Sequence, residues 1–167
     1  MERVGLTGCN DILTFTTPEH RWLSNMTRVD ILHKGIMYPS TENFYQAMKY
    51  NEFDMIKLEG WDFSISVRSH IAYNLKPSES KQFSKDNLMT STKFEESKIE
   101  IMRYAQRQKY KHKYFKSKLL ATGDSYLEEG NWWHDCYWGC DIKTREGENN
   151  LGKIIMEVRS EIRSKAN

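Results

Sequence analysis

Leu151, Ile154, Ile155, Val158 and Ile162 recur at i, i+3, i+4, i+7 and i+11, and no proline interrupts them. This stripe limits the possible folds more sharply than any other feature of the chain. A helix with one apolar stripe must lay it on a core, so the C-terminal part is predicted to be an amphipathic helix docked on the rest. Asn150 stands just ahead of the stripe as its expected N-cap. The chain has 167 residues, 29% charged and 38% hydrophobic, enough for one well-solvated domain with a real core.

Upstream, residues 12–17 alternate and are rich in β-formers, which predicts a short strand. Residues 29–32 and 36–38 read as a hairpin turning at Lys34-Gly35. Ser40 offers an N-cap for a helix over 41–51, and two short helical pieces are expected around 53–58 and 65–73. Residues 76–93, rich in Ser and Lys, look like a surface insertion. A long helix over 94–110 contains neither Gly nor Pro, and another over 114–121 stops at Thr122-Gly123. Residues 126–149 read as short strands and loops. The sum is an α+β fold, a single mainly helical domain over 1–167 with a small sheet from the N-terminal half.

Lys and Arg number 25 against 23 Asp and Glu, for a net charge of +2. That balance argues against a dedicated nucleic-acid coat or a polybasic membrane anchor. No apolar run reaches membrane-spanning length, and residues 1–10 carry no signal-peptide core, so a cytoplasmic chain without a membrane partner is expected. Cys9, Cys136 and Cys140 are sparse and odd in number, which fits a reducing compartment. His134, Cys136 and Cys140 lie close together, but there is no C-x-x-C pair and no second half-site. Neither a metal nor another cofactor is therefore expected.

Glu42, Gln46 and Lys49 fall at i, i+4 and i+7 of the helix expected over 41–51, with Phe44, Ala47 and Met48 opposite as an anchor. A carboxylate, an amide and an amine in a row form a catalytic wall if they line a cleft. On periodicity alone a solvated helix face is the plainer reading. About 10 Å of helical rise would separate Glu42 from Lys49, so only the long lysine stem lets both approach one sugar. The second candidate is the run Trp132-Trp133-His134-Asp135-Cys136-Tyr137-Trp138-Gly139. A loop so aromatic either folds onto the core or lines a pocket. Asp135 within it is either a partly desolvated acid or base with a raised pKa, or the head of an Asx-turn. Residues 147–152 open the last helix, where backbone N–H groups either hold a phosphate or serve as a plain cap.

In order along the chain come Leu23-Ser24-Asn25, Tyr38-Pro39-Ser40-Thr41-Glu42, Tyr45-Gln46-Ala47-Met48-Lys49 and Met102-Arg103 with Ala105 and Arg107. Leu119-Leu120-Ala121-Thr122, Leu127 with Glu129, Asp135 with Trp138-Gly139, Asn149 with Leu151-Gly152, and Met156-Glu157-Val158-Arg159 follow. This ordered set resembles the NADAR, or YbiA-like, family. Asn43 stands where many members have His, Phe94 where Trp is usual, and Tyr110 where Phe is common.

The resemblance implies hydrolysis of an N-glycosidic bond. One branch of the family acts on ribosylamino-pyrimidine phosphate intermediates of the riboflavin pathway, and another on ADP-ribosylated guanine in nucleic acid. An ADP-ribose-containing or ribosylamine phosphate substrate follows, with ADP-ribosylated DNA as a partner. The resemblance makes Glu42, Asp135 and Lys49 the catalytic candidates. It makes Ser24, Asn25, Gln46, Phe94, Trp138, Gly139, Asn149 and Gly152 the substrate-binding ones, with Asn149 and Gly152 at a phosphate and Trp138 and Phe94 against the base.

Breaking a ribosyl C–N bond leaves positive charge on the sugar and negative charge on the departing nitrogen, which calls for a carboxylate and a proton source. Glu42 takes the role nearest the ribose, stabilising the cation or activating water, and Asp135 orients the ribose hydroxyls or serves as partner acid. Alternatively, Lys49 attacks the open-chain aldehyde to form a Schiff base. The carboxylate route is favoured because a lysine beside a carboxylate stays protonated. The competing class is a non-catalytic ADP-ribose or nucleotide-binding module.

Overall fold

The structure, a computed structural model, describes residues 11–87 and 92–165. The expectations for Cys9 and residues 1–10 lie outside them. The chain divides into two compact units, one of them Asn25–Ala105, the other built from the chain up to Ser24 and from Gln106 onward.

In the 25–105 unit, β1 (Arg28–His33) and β2 (Ile36–Ser40) form the expected antiparallel hairpin. Lys34 and Gly35 have φ of 47° and 78°, the left-handed pair that a two-residue hairpin turn requires. Val29 and Ile31 face inward from β1 while Arg28, Asp30 and Leu32 face water. Ser40 then caps α1 (Thr41–Ala47). Its Oγ accepts the Asn43 N–H at 3.0 Å and donates to Asn43 Oδ1 at 2.7 Å, a reciprocal cap.

α1 ends at Ala47 and does not run to 51. Arg68 draws the Tyr50 carbonyl away with Nε at 3.0 Å and Nη2 at 2.6 Å, and the Asn51 N–H turns to Asp54 Oδ2 at 2.7 Å. The next expected helical piece is a strand. β3 (Met55–Lys57) pairs antiparallel with β4 (Ser64–Ser66), exposing Met55 and Lys57 on one side. α2 (Val67–Tyr73) starts where Ser66 Oγ accepts the Ser69 N–H. The Ser- and Lys-rich stretch read as a surface insertion holds a helix, α3 (Pro77–Asn87). Ser80 and Ser84 are fully buried in it, and such small side chains let it pack closely on α1. α4 (Thr92–Lys109) is the long helix expected, with Phe94, Met102 and Ala105 buried.

In the other unit a short turn, Arg21–Leu23, buries Trp22 and Leu23. The strand expected over 12–17 reduces to one bridge, Ile12 to Leu127, because Thr14 Oγ1 takes the Gly130 carbonyl at 2.9 Å in place of a ladder. α5 (Lys113–Ala121) stops at Thr122-Gly123 as predicted, with Gly123 at φ 56°. β5 (Gly130–Asn131) and β6 (Cys140–Asp141) pair in parallel. α6 (Asn150–Ser164) buries Leu151, Ile154, Ile155 and Val158, with Ile162 at the partly exposed end of the stripe. Its N-cap is Asn149, one position before the one expected. Strands thus form three two-stranded ladders among the described residues, one of them in the C-terminal half. No described helix is long and apolar enough to cross a membrane.

Candidate functional site

α1 carries the first group of candidates, and it is not a solvated face: all its residues are buried, Glu42 at 6% exposure and Gln46 at 3%. A carboxylate so placed needs donors. Gln46 Nε2 donates to Glu42 Oε1 at 2.7 Å, one helical turn apart, as the spacing predicted.

Asn25 braces the start of this helix. Its carbonyl accepts the Glu42 N–H at 3.0 Å, and Thr41 Oγ1 donates to both its carbonyl and its Oδ1. Asn25 Nδ2 lies 3.6 Å from Met102 Sδ. Asn25, one of the expected substrate-binding residues, is 8% exposed and holds the backbone N–H of Glu42. Asn43 is fully buried, and its Nδ2 donates to the carbonyls of Ile71 and Leu75, each at 2.9 Å. The amide at this position therefore ties α1 to the end of α2.

Lys49 follows the helix in a turn, with its N–H on the Gln46 carbonyl. Its Nζ lies 5.5 Å from the centre of the Tyr45 ring and 5.8 Å from that of Phe94. Those rings meet edge to face at 5.4 Å. Burial pushes the Lys49 amine below its ordinary value, more than Glu42 and then Glu95 pull it up, while Lys81 adds to the lowering. Burial thus outweighs the pull of the neighbouring carboxylate in setting the direction of the shift. Phe94, at 4% exposure, lies beside the amine with its ring edge to face on Tyr45.

The second group lies in the other unit, on the loop between β5 and α6. Asp135 is half-buried, and its Oδ1 accepts the N–H groups of Tyr137 at 3.2 Å and Trp138 at 2.9 Å. That is the Asx-turn. Both bonds fall on Oδ1, which leaves Oδ2 outside the turn. Asn131, fully buried, clamps the residue by exchanging bonds with it: Asp135 N–H to Asn131 Oδ1 and Asn131 Nδ2 to the Asp135 carbonyl, both at 3.0 Å. Trp138 is half-buried against Tyr137, edge to face at 5.1 Å. A Cβ on Gly139 would stand 2.1 Å from the Glu129 carbonyl oxygen, so the backbone approach admits no side chain. Trp132 and Trp133 are exposed, and neither core nor pocket covers them.

Two further candidates lie at the start of α6. Asn149, held at φ 51°, spends its whole amide inside the fold. Its Oδ1 accepts the Glu129 N–H, and its Nδ2 donates to Tyr126 Oη and the Leu127 carbonyl. The Asn150 and Leu151 N–H groups already bond the carbonyls of Tyr137 and Trp138. Gly152 is buried with no room for a Cβ beside the Leu127 carbonyl. These residues dock the loop on the helix.

His134 Nδ1 meets Asp141 Oδ2 at 2.6 Å, while Cys136 is exposed and Cys140 buried. Among the described residues no three His, Cys, Asp or Glu side chains gather as metal ligands would. Two features escaped the sequence patterns. One is the His134–Asp141 pair. The other is Lys109, buried in α4 with its amine on the Leu23 and Ser24 carbonyls. Neither position breaks a helix or strand period, so periodicity gave no signal for either.

A family model described as the NADAR domain matches residues 14–163. The chain belongs to the NADAR family. Among curated NADAR relatives, a riboflavin biosynthesis protein of Vibrio vulnificus is 31% identical over 150 residues, covering 88% of this chain and 37% of that protein. N-glycosidase YbiA of Escherichia coli is 28% identical over 149 residues, covering 88% of this chain and 84% of YbiA. A chloroplastic riboflavin biosynthesis protein of Zea mays is 29% identical over 128 residues, and the chain spans 20% of its length. The chain thus matches most of YbiA but well under half of the two riboflavin proteins. The NMR structure of E. coli YbiA superposes with a TM-score of 0.76 at 26% identity, covering 98% of this chain and 92% of that one. The α+β fold read from the sequence is the fold of YbiA.

Proposed function

We propose that this NADAR chain is an N-glycosidase that hydrolyses a ribosyl C–N bond. The observation that carries the reading is the α1 wall: a buried carboxylate, Glu42, held by the Gln46 amide beside a desolvated amine, Lys49. In hydrolysis the C–N bond breaks, water oxygen bonds to C1′, and the departing nitrogen gains a proton. An anionic Glu42 stabilises the cationic sugar or takes the proton of the attacking water. Two substrate classes suit this chemistry. The names of the riboflavin biosynthesis relatives support a ribosylamino-pyrimidine phosphate, and the family resemblance adds ADP-ribosylated guanine in nucleic acid.

The lowered Lys49 amine favours a second route within the same function. A neutral amine adds at C1′ of the ring-opened sugar and displaces the base nitrogen, and water then releases lysine and free sugar. Incubation with each substrate class, with the freed base measured, tests the function. Stoichiometric binding of intact ligand without release would replace the hydrolase by a binding module. Borohydride during turnover separates the routes, since a reduced sugar adduct on Lys49 requires the imine.

A further inference from the structure

Charge summed over the chain is close to balance, but it is not evenly spread. Residues 106–123 contain Arg107, Lys109, Lys111, Lys113, Lys116 and Lys118 and neither Asp nor Glu, so elsewhere acids outnumber bases. Lys109 is buried, and Arg107 grips Glu161 with Nε at 2.9 Å and Nη2 at 2.6 Å. Asp124, the next acid along the chain, is bonded to Arg163. Lys111, Lys113 and Lys116 are exposed. Lys111 Nζ donates to the neutral amide oxygen of Gln108 at 2.9 Å. Lys113 and Lys116 make no ion pair among the described residues. They also occupy the first turn of α5, which holds no acid and where the helix dipole is positive. Like charges crowded in this way repel one another, and a polyanion laid across them offsets that repulsion.

The lysines border a cleft as well as a convex face. A cavity of about 360 Å³ opens beside α5 and α6, lined by Arg107, Lys111, Lys116, Glu161, Ile162 and Lys165. Because Glu161 is taken by Arg107, the three lysines set its charge. On the exposed side of α5, Tyr114 keeps 62% of its surface in water. Its ring is nevertheless held. Lys118 Nζ donates to its Oη at 3.4 Å and lies 5.4 Å from its centre, and Phe115 meets it edge to face at 5.2 Å. A fixed, wet aromatic ring beside a row of lysines suits an unpaired base whose neighbouring phosphates are being neutralised. A bilayer is a poorer match, because Phe115 and Leu119 are buried and α5 has no apolar face left to insert.

We propose that the exposed face of α5 and the cleft beside it bind single-stranded nucleic acid. The lysines take backbone phosphates, and Tyr114 stacks on a base. A duplex offers the same phosphates, but its bases are already stacked on one another, so the ring favours the single strand. Strand binding by this surface is separate from base release at α1, and each stands without the other.

Fluorescence anisotropy of a labelled, unmodified oligothymidylate with the full chain tests this. Contacts from Lys111, Lys113, Lys116 and Lys118 predict that log K falls with log[salt] at a slope of roughly −2 to −3. Replacing both Lys113 and Lys116 by Gln should weaken binding roughly 10-fold or more at low salt and flatten the slope by about 1.4. Tyr114→Leu should weaken binding roughly 5-fold or more, leave the slope unchanged, and leave duplex binding as it was. All three side chains are exposed, so the variants should melt close to wild type. No binding by wild type at low salt, or an affinity and slope indifferent to the lysine pair, would overturn the surface. A Tyr114→Leu variant that binds the single strand as wild type does would overturn the stacking. Tighter binding to phosphatidylserine vesicles than to the strand would refute it in favour of a membrane. Displacement of the strand by pyrophosphate at equal phosphate concentration would refute it in favour of a small-anion site.

Discussion

Replacing Glu42 by Gln separates a catalytic carboxylate from a structural one, because the two roles predict effects of different size on different observables. The substituted side chain keeps the shape of glutamate and still offers an Oε1 acceptor to the Gln46 amide, which now bonds a carboxylate oxygen at 2.7 Å. What changes is the charge. A hydrogen bond to a charged group contributes about 1.5–3 kcal/mol and a neutral one about 1, so the bond weakens by roughly 1 kcal/mol. Relief from burying an anion at 6% exposure offsets part of that. The melting temperature should therefore move by no more than about 2–4 °C. The rate should fall by roughly 10²–10⁴, equivalent to about 3–5 kcal/mol, while substrate still binds. Glu42 also pulls the Lys49 amine up, so Glu42→Gln should lower that amine further and make it react faster with an amine-directed reagent at neutral pH. The assay is base release under single turnover, with thermal melting and lysine labelling on the same sample. A variant that melts many degrees lower yet keeps its rate would show that Glu42 only braces α1, and the catalytic wall would be refuted.

Ile155→Ala should cost about 2–5 kcal/mol in denaturant unfolding, since Ile155 is fully buried in the stripe of α6; a negligible loss would place the stripe outside the core. Gly139→Ala should destabilise by roughly 1–3 kcal/mol or more, because the new Cβ meets a backbone carbonyl at 2.1 Å that cannot swing aside. Wild-type stability there would disprove the close approach. Lys109 is a base whose folded value, about 7, lies below its ordinary 10.5, so the unfolded chain binds the extra proton between those values. Wild-type stability should accordingly rise relative to Lys109→Met as pH climbs from about 7 towards 10.5, and parallel curves for the two proteins would contradict the buried ammonium.

The elements legible in the sequence are those whose signal is local. Lys34-Gly35 dictates a hairpin turn by backbone sterics alone, and the stripe from Leu151 to Val158 dictates a buried face by its period. The Glu42–Gln46 contact was likewise readable, since helical spacing alone brings the pair together. Distant partners decided what was not legible. Nothing near Tyr50 says that Arg68 will seize its carbonyl and end α1. Ser80 and Ser84 look like solvent residues until a neighbouring helix needs small side chains there. Asn25 and Asn149 have amides suited to a ligand, and only tertiary contacts show those amides already engaged. The direction of the Lys49 shift is set by burial, which the spacing of charges does not reveal.

The carbonyls of Tyr137 and Trp138 cap the first turn of α6, and that arrangement has a dynamic consequence. A helix whose opening N–H groups are taken by a loop cannot release that loop without fraying its own end. Residues 135–138 and the start of α6 therefore open as one cooperative unit, and their amides should exchange with solvent at a common rate set by that shared opening. The Asp-x-x-Trp-Gly loop is thereby denied the independent mobility of an ordinary surface connection. It inherits the rigidity of a helix anchored by Leu151 and Ile155, so a cavity cut into the core beneath α6 should loosen Asp135 and Trp138 without touching either.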